Sequence, residues 1–216
     1  MGKVMTIKGT YSRGHPGKFG FCIDWETSGS DFAGKSHEKY QGIAYGAAIF
    51  NTETFEPIET IYRELQFDDL KYKWSMDAQN IHGLSRDHLA KHGVSREEGL
   101  FDLLELLVKY FGNEAKIMFL GHNVDFDIDF TIQLAMDFDL DIRPRIYHVK
   151  LETSGASFIL IGKYRSNEVF EFFTGKTRDG HHNALDDALM ALETARNMRA
   201  IAAAALETAA IGQYDN

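Results

Sequence analysis

Three groups of acidic side chains stand out along the chain, each beside an apolar run. The first is Asp24-Trp25-Glu26, inside "FGFCIDWETSG". The second is "GHNVDFDIDF", with Asp125, Asp127 and Asp129. The third is "DGHHNALDDA", with His181, His182, Asp186 and Asp187. Alternate residues of a strand share a face, so Asp24 and Glu26 point one way and Ile23 and Trp25 the other. Two like charges on one face repel, and burial sharpens the repulsion. A divalent cation is an economical compensating charge. Oxygen ligands without a cysteine cluster favour Mg²⁺ or Mn²⁺ over structural zinc. Two such ions, about 3.5–4 Å apart, can hold both the attacking and the leaving oxygen of a phosphodiester. On its own, the first pair reads better as the polar end of a strand entering a loop. The other two groups shift that balance.

The elements that must position these residues follow from patterning. Residues 18–25 read as a strand whose lack of strict alternation fits a centre covered on both faces. Residues 43–50 and 58–65 are strand candidates, and "NTETFEP" between them would turn an antiparallel hairpin. The Gly- and Ser-rich stretch "SGSDFAGKSHEKYQG" reads as a mobile loop. Ser95 followed by Glu98 matches a capping box, with Leu100, Phe101, Leu103, Leu104, Leu107 and Val108 at helical spacing behind it. Gly112 is placed to end that helix. "KIMFLGHN" (116–123) is a short apolar strand running into polar residues, and 126–138 is an amphipathic helix candidate. The stretch 142–175 fits strands or helix with loops. A long Ala- and Leu-rich helix runs from about 184 to 210. Strands first and helices later predict an α/β fold in layers around a mixed sheet, with ligands gathering at the C-terminal ends of its parallel strands.

At this point the order Asp24-x-Glu26, His122-Asn123-x-x-Phe126-Asp127 and His182-x-Ala184-x-x-Asp187 resembles the DEDDh 3′–5′ exonucleases. That family includes polymerase proofreading subunits and the RNase T and oligoribonuclease group. The resemblance covers about residues 18–195, with "TSG" and "NIHGLS" as supporting segments. It implies a ribonuclease H-like three-layer fold: a mixed central sheet, an antiparallel leading hairpin and helices on both faces. It also implies that Asp24, Glu26, Asp127 and Asp187 hold two divalent metals, Mg²⁺ or Mn²⁺, with Asp24 bridging them. His182 would be the general base toward the attacking water. A neutral imidazole can take a proton near neutral pH, so activity is expected to fall on the acid side. The expected domain spans 18–200, after a lead-in of 1–17 and before a helical extension and tail of 201–216.

Each residue also has a plainer reading. Asp125 and Asp129 lie four apart and would form a solvated helix face, with Asp127 pointing elsewhere. His181 rivals His182, although the spacing to Ala184 and Asp187 favours His182. Asp186 fits the dipole of a helix N-terminus, and so does Asp187 if the motif is accidental. His122 and Asn123 could hold local backbone, Asn123 as a cap. Thr27, directly after the first motif, and Asn123 are substrate-binding candidates as well, and His82 is placed by the resemblance near the substrate's 3′ end; a Gly83 turn is the alternative for His82. Trp25 and Phe126 read as core. Lys163, Arg165, Lys176 and Arg178 form a basic cluster able to hold a strand's backbone, or a solvated loop. Lys35, His37 and Lys39 are expected in a loop near the cleft.

The totals set the bounds. The chain has 216 residues, 44% of them hydrophobic, which suits one domain with a full core. Its formal charge of −9 argues for local, metal-assisted contact with phosphate over a broad basic surface. A single cysteine, Cys22, excludes an internal disulfide and fits a reducing, cytoplasmic setting. Neither a signal-like apolar segment at the start nor a stretch of roughly 18 apolar residues is present. The expectation is therefore a 3′–5′ exonuclease acting on single-stranded DNA with a free 3′ end, in replication or repair, alone or beside a polymerase or other replication protein. An exoribonuclease or oligoribonuclease is the close alternative. A silent nucleic-acid- or polymerase-binding module is the alternative of another class.

Overall fold

A computed structural model describes residues 5–6, 17–31, 34–178 and 182–212. The first half holds β1 (Met5–Thr6), β2 (Phe19–Thr27), α1 (Ser36–Lys39), β3 (Gly42–Asn51), β4 (Pro57–Glu64), α2 (Met76–His82), α3 (Arg86–His92) and α4 (Arg96–Phe111). The second holds β5 (Phe119–Gly121), α5 (Val124–Met136), β6 (Leu140–Asp141), β7 (Leu151–Glu152), α6 (Thr153–Ile161), α7 (Ser166–Thr174) and α8 (Ala184–Gly212).

The main sheet has five strands in the order β4-β3-β2-β5-β7. β2, β3 and β4 form an antiparallel meander, while β5 and β7 join parallel to β2. β2 is thus central. Its Phe21, Ile23 and Trp25 pack with Tyr45, Ala47 and Ile49 against α4 and α5. Its Cys22 lies in a second cluster with Ala48, Phe50 and the Ala188–Leu192 turn of α8. Burial on both faces explains the missing alternation. The architecture is α/β with a mixed sheet, an antiparallel leading meander and helices on both faces. No helix among the described residues is long and apolar enough to cross a membrane.

Several expectations shift in detail. β2 runs to Thr27, so Glu26 is part of the strand and not of the loop after it. The polar loop contains the short helix α1, pinned by Gln133, whose amide donates to the Tyr40 carbonyl at 2.6 Å. Two helices occupy part of the mixed stretch 66–94. Ser75 and Ser85 cap them, accepting from Ala78 N at 3.4 Å and His88 N at 3.1 Å. Ser95 caps α4 as its capping box predicts, accepting from Glu98 N at 3.1 Å. In 142–175 only Leu151–Glu152 pairs as strand; "SFILI" completes α6, which Gly162 ends in the left-handed region at φ 70°. α8 is continuous through Gly212, and residues 201–208 are exposed.

Candidate active site

The carboxylates meet where β2 and β5 end beside the start of α8. Trp25 is core, as expected: its ring packs on Tyr45 and its indole N–H donates to Thr131 Oγ1 at 3.0 Å. That anchoring turns Asp24 and Glu26 toward the α8 face. Opposite Asp24 in the register stands Gly46. A Cβ there would lie 2.0 Å from the Leu185 backbone nitrogen. The glycine therefore lets the first turn of α8 press on the sheet, carrying Asp187 to Glu26. Asn183 caps that turn, accepting from Leu185 N at 3.0 Å. Neither Gly46 nor Asn183 was singled out in the sequence. An Asn just before a helical run is a capping signal, whereas Gly46 carries none without its register.

Asp127 enters from α5 and is buried, while Asp125 and Asp129 face outward to Lys150 and His37. One Asp127 oxygen accepts from Trp25 N at 3.1 Å. The other packs closely over Gly121, where a Cβ would sit 3.2 Å from Asp127 Oδ2 and press the carboxylate back by a few tenths of an ångström. α5 starts at Asn123, whose side chain makes no capping bond. The capping role expected of it falls to Glu152, which accepts from Val124 N at 3.0 Å across the sheet edge.

One oxygen each of Glu26 and Asp187 and one ring nitrogen of His182 lie within 4.8 Å of one another. His182 Nδ1 is 3.3 Å from Asp187 Oδ2. His181 lies outside the described residues. Burial, then the charges of Asp127 and Glu26, push the Asp24 carboxyl well above the ordinary range. Burial does the same to Asp127 and raises Glu26 to about 7. Glu26 Oε1 is buried without a hydrogen-bond partner. A buried orphan oxygen among crowded carboxylates and an imidazole suits a hard or borderline divalent cation.

Arg178 reaches into this cluster. Its guanidinium pairs with Asp187 and lies 2.7 Å from His182 Nε2. It is the positive charge that the crowded carboxylates call for, and it is more buried than a strand-gripping loop residue would be, its side chain only 9% exposed. The rest of the expected basic cluster is split. Lys176 pairs with Glu193 at 2.7 Å, and Lys163 and Arg165 are exposed on the α6–α7 turn.

The flanking residues divide similarly. Thr27 spends its hydroxyl on the Gly29 carbonyl at 2.9 Å. His82 is buried at the end of α2 beside the Thr27 backbone, close enough to His182 for their charges to interact. His122 holds backbone, with Nε2 2.7 Å from the Tyr164 carbonyl oxygen. Asn123 is exposed at the mouth of an open cleft of about 360 Å³, which Ser30, Asp31, His37, Phe126 and Asp129 also line. His37 thus lies in the cleft wall, while Lys35 and Lys39 pair with Glu38 and Asp31.

No protein-family model matches the chain, and no curated protein matches it in sequence. Solved structures match it in fold. Zinc-bound E. coli exonuclease I in complex with single-stranded DNA matches with TM-score 0.69 at 16% identity, over 85% of this chain and 41% of that one. Exonuclease I from Methylocaldum szegediense matches with TM-score 0.66 at 16% identity, over 84% of this chain and 40% of that one. A 3′-exonuclease in a structure of 3′-end-specific recognition of histone mRNA stem-loop gives 0.62 at 16%, over 84% and 81%. The chain spans about two fifths of the exonuclease I chains. The ribonuclease H-like fold that the three motifs imply is the fold found.

Proposed function

We propose that the protein is a metal-dependent 3′–5′ exonuclease that releases nucleoside 5′-monophosphates from single-stranded DNA. The observation that carries this is the convergence of Asp24, Glu26, Asp127 and Asp187 with His182 from three distant segments. Asp24, Glu26, Asp127 and Asp187 would hold two divalent ions, Mg²⁺ or Mn²⁺. Such ions, when bound, supply positive charge at the scissile phosphate, lower the pKa of attacking water and stabilise the leaving oxygen. Once Arg178, whose Nη1 lies 2.8 Å from Nδ1, withdraws, His182 can carry its proton on Nδ1 toward Asp187 Oδ2, 3.3 Å away, and leave Nε2 to take the water's proton. Arg178 blocks that nitrogen in the present arrangement and must move aside first. The cleft beside Asn123 and Phe126 would receive the terminal nucleoside, and His82 would border the reacting end.

DNA is the first substrate class because exonuclease I, the matched fold with the higher TM-score, is seen with single-stranded DNA. A specific observation favours RNA as the second reading. The 3′-exonuclease seen with a histone mRNA stem-loop is matched over 81% of its own length. The test is degradation of matched 5′-labelled DNA and RNA single strands with Mg²⁺, Mn²⁺ or EDTA. A ladder shortening from the 3′ end, abolished by EDTA and by Asp24→Ala, supports the reading, and the rate ratio assigns the sugar. Strand binding without any product on either polymer would replace it with a binding module.

A further inference from the structure

We propose that Glu64, His88 and His92 form a second metal site, one that takes a zinc-class divalent ion and stands apart from the carboxylate cluster. His88 and His92 are four residues apart on α3, so they share one face of the helix, a turn apart. Their rings are neighbours, with centroids 4.9 Å apart and planes tilted by 39°. Two histidines at this helical spacing are a chelating pair for zinc. The carboxylate comes from the edge strand beside them: Glu64 Oε2 lies 2.6 Å from His88 Nε2. Two imidazoles and one carboxylate make a zinc ligand set that leaves a fourth position for water.

The surroundings hold these groups as metal ligands are held. The other Glu64 oxygen accepts from the Tyr62 hydroxyl at 2.9 Å, which fixes the carboxylate's orientation. Burial, and then the bond to Glu64, raise the Tyr62 phenol above its ordinary value, so it stays the donor. Leu89, between the two histidines, is fully buried and pins α3 to the core. Val94 N donates to the Glu64 carbonyl at 2.9 Å, tying β4 to the chain two residues past His92. The backbone is therefore fixed on both sides while the rings keep room to adjust, His92 being exposed. Among the described residues, the ligand atoms that already lie within 4.8 Å of one another are those of Glu26, His182 and Asp187. At Glu64 the exposed His92 ring swings inward to complete the set.

Position and chemistry separate the two sites. Glu26, Ala44 and Glu64 stand opposite one another on adjacent strands. Two strand spacings put Glu64 about 10 Å from Glu26, beyond the roughly 3.5–4 Å between the ions of a two-metal centre. Carboxylates suit Mg²⁺ or Mn²⁺, whereas imidazoles favour Zn²⁺, Ni²⁺ or Cu²⁺. Arg63, on the opposite face of β4, pairs with Asp102 at 2.6 Å and leaves Glu64 to the histidines. An ion here would bolt α3 to β4 and steady the segment that carries His82. The site does not depend on the exonuclease reading.

The test is calorimetric titration of Zn²⁺, with Mg²⁺ in excess, into the Asp24→Asn/Asp187→Asn protein, whose carboxylate cluster is disabled. One equivalent is expected to bind. Adding His88→Gln, His92→Gln or Glu64→Gln should weaken it at least about tenfold, and Tyr62→Phe about tenfold. Cu²⁺ electron paramagnetic resonance of the parent should show coupling to two imidazole nitrogens, and to one in His92→Gln. His92 is exposed, so its replacement leaves the core intact, and an unchanged melting temperature without zinc verifies the fold. No zinc bound by the parent, or an affinity in His92→Gln within about twofold of the parent, would overturn the site. So would coupling to a single imidazole in the parent, which would reduce the group to a His88–Glu64 ion pair. Failure of wild type to cleave DNA or RNA would leave a positive result here standing.

Discussion

The backbone N–H of Trp25 donates to Asp127 Oδ1 at 3.1 Å, joining two acidic motifs 102 residues apart. The bond fixes the second carboxylate against the strand that carries the first two. It also explains why Trp25 sits between two acids: its ring locks the strand in the core while its amide orients the Asp127 carboxylate. The remaining carboxylate, Asp187, has no such backbone tie to β2 and depends on how closely α8 approaches the sheet.

That dependence makes Gly46 a sensitive position. In Gly46→Ala the new methyl would fall 2.0 Å from Leu185 N and 2.1 Å from its Cα, both backbone. The helix must shift, at a cost of about 1–3 kcal/mol in stability. Mn²⁺ affinity should fall with it, because Asp187 rides on the displaced turn. Gly17→Ala, with nothing within 4 Å of the added methyl, serves as the control and should leave both unchanged. Urea unfolding and Mn²⁺ titration followed by electron paramagnetic resonance report the two quantities.

Arg178 fills the role of a cation while lying among carboxylates. Removing it in Arg178→Ala should tighten Mn²⁺ binding by about tenfold, the effect of deleting one nearby like charge. Turnover should nevertheless fall if the guanidinium moves to the phosphate during reaction. Isothermal titration with Mn²⁺, read beside the exonuclease rate, checks both directions. Unchanged metal affinity would show that the guanidinium does not compete for the site.

The raised carboxyls give a signed pH dependence. Glu26 is raised from about 4.5 to about 7, and Asp24 and Asp127 are raised in the same direction. A raised folded pKa adds stability that is complete below the unfolded value and is lost as pH rises through the folded one. The metal-free protein should therefore lose melting temperature between pH 5 and about 8. Mg²⁺ or Mn²⁺ should restore it, with a larger upward shift at pH 8 than at pH 6, since fewer protons then need displacing. Differential scanning fluorimetry across that range, with and without metal, measures the trend. A metal-induced shift independent of pH would contradict it.

His182 titrates the other way. Partial burial, and then the Arg178 charge, lower its pKa below the free value of 6.5. The neutral, proton-accepting ring thus persists at pH 6.5, and the rate should decline only below it. His182→Ala should cost on the order of 10²- to 10⁴-fold in rate and erase this acid limb. A pH–rate profile of the two proteins at saturating Mn²⁺ decides the point; an acid limb that survives in the variant would assign the proton transfer elsewhere.

Local patterning along the chain specifies the set of groups and the elements that carry them. Alternation placed Asp24 and Glu26 on one side of a strand and Trp25 in the core, and helical spacing separated Asp127 from Asp125 and Asp129. These readings succeed because they depend on local periodicity, which a run of a few residues fully specifies. The capping box at Ser95 and the stop at Gly112 are legible for the same reason. "SFILIGKY" is ambiguous because an apolar run of that length suits a buried strand or a helix, and Glu152, directly before α6, tips it by capping that helix as well as α5.

How the groups meet is set by contacts between elements far apart in the chain. Gly46 matters through its register opposite Asp24, and Gly121 through the carboxylate packed above it. Arg178 reads from the chain as one of several basic loop residues, yet the fold alone buries it beside Asp187 and parts it from Lys163 and Arg165. The physical reason is common to all three. Close approach, burial and the repulsion between carboxylates are properties of separations in space, and chain spacing encodes those only within a single element.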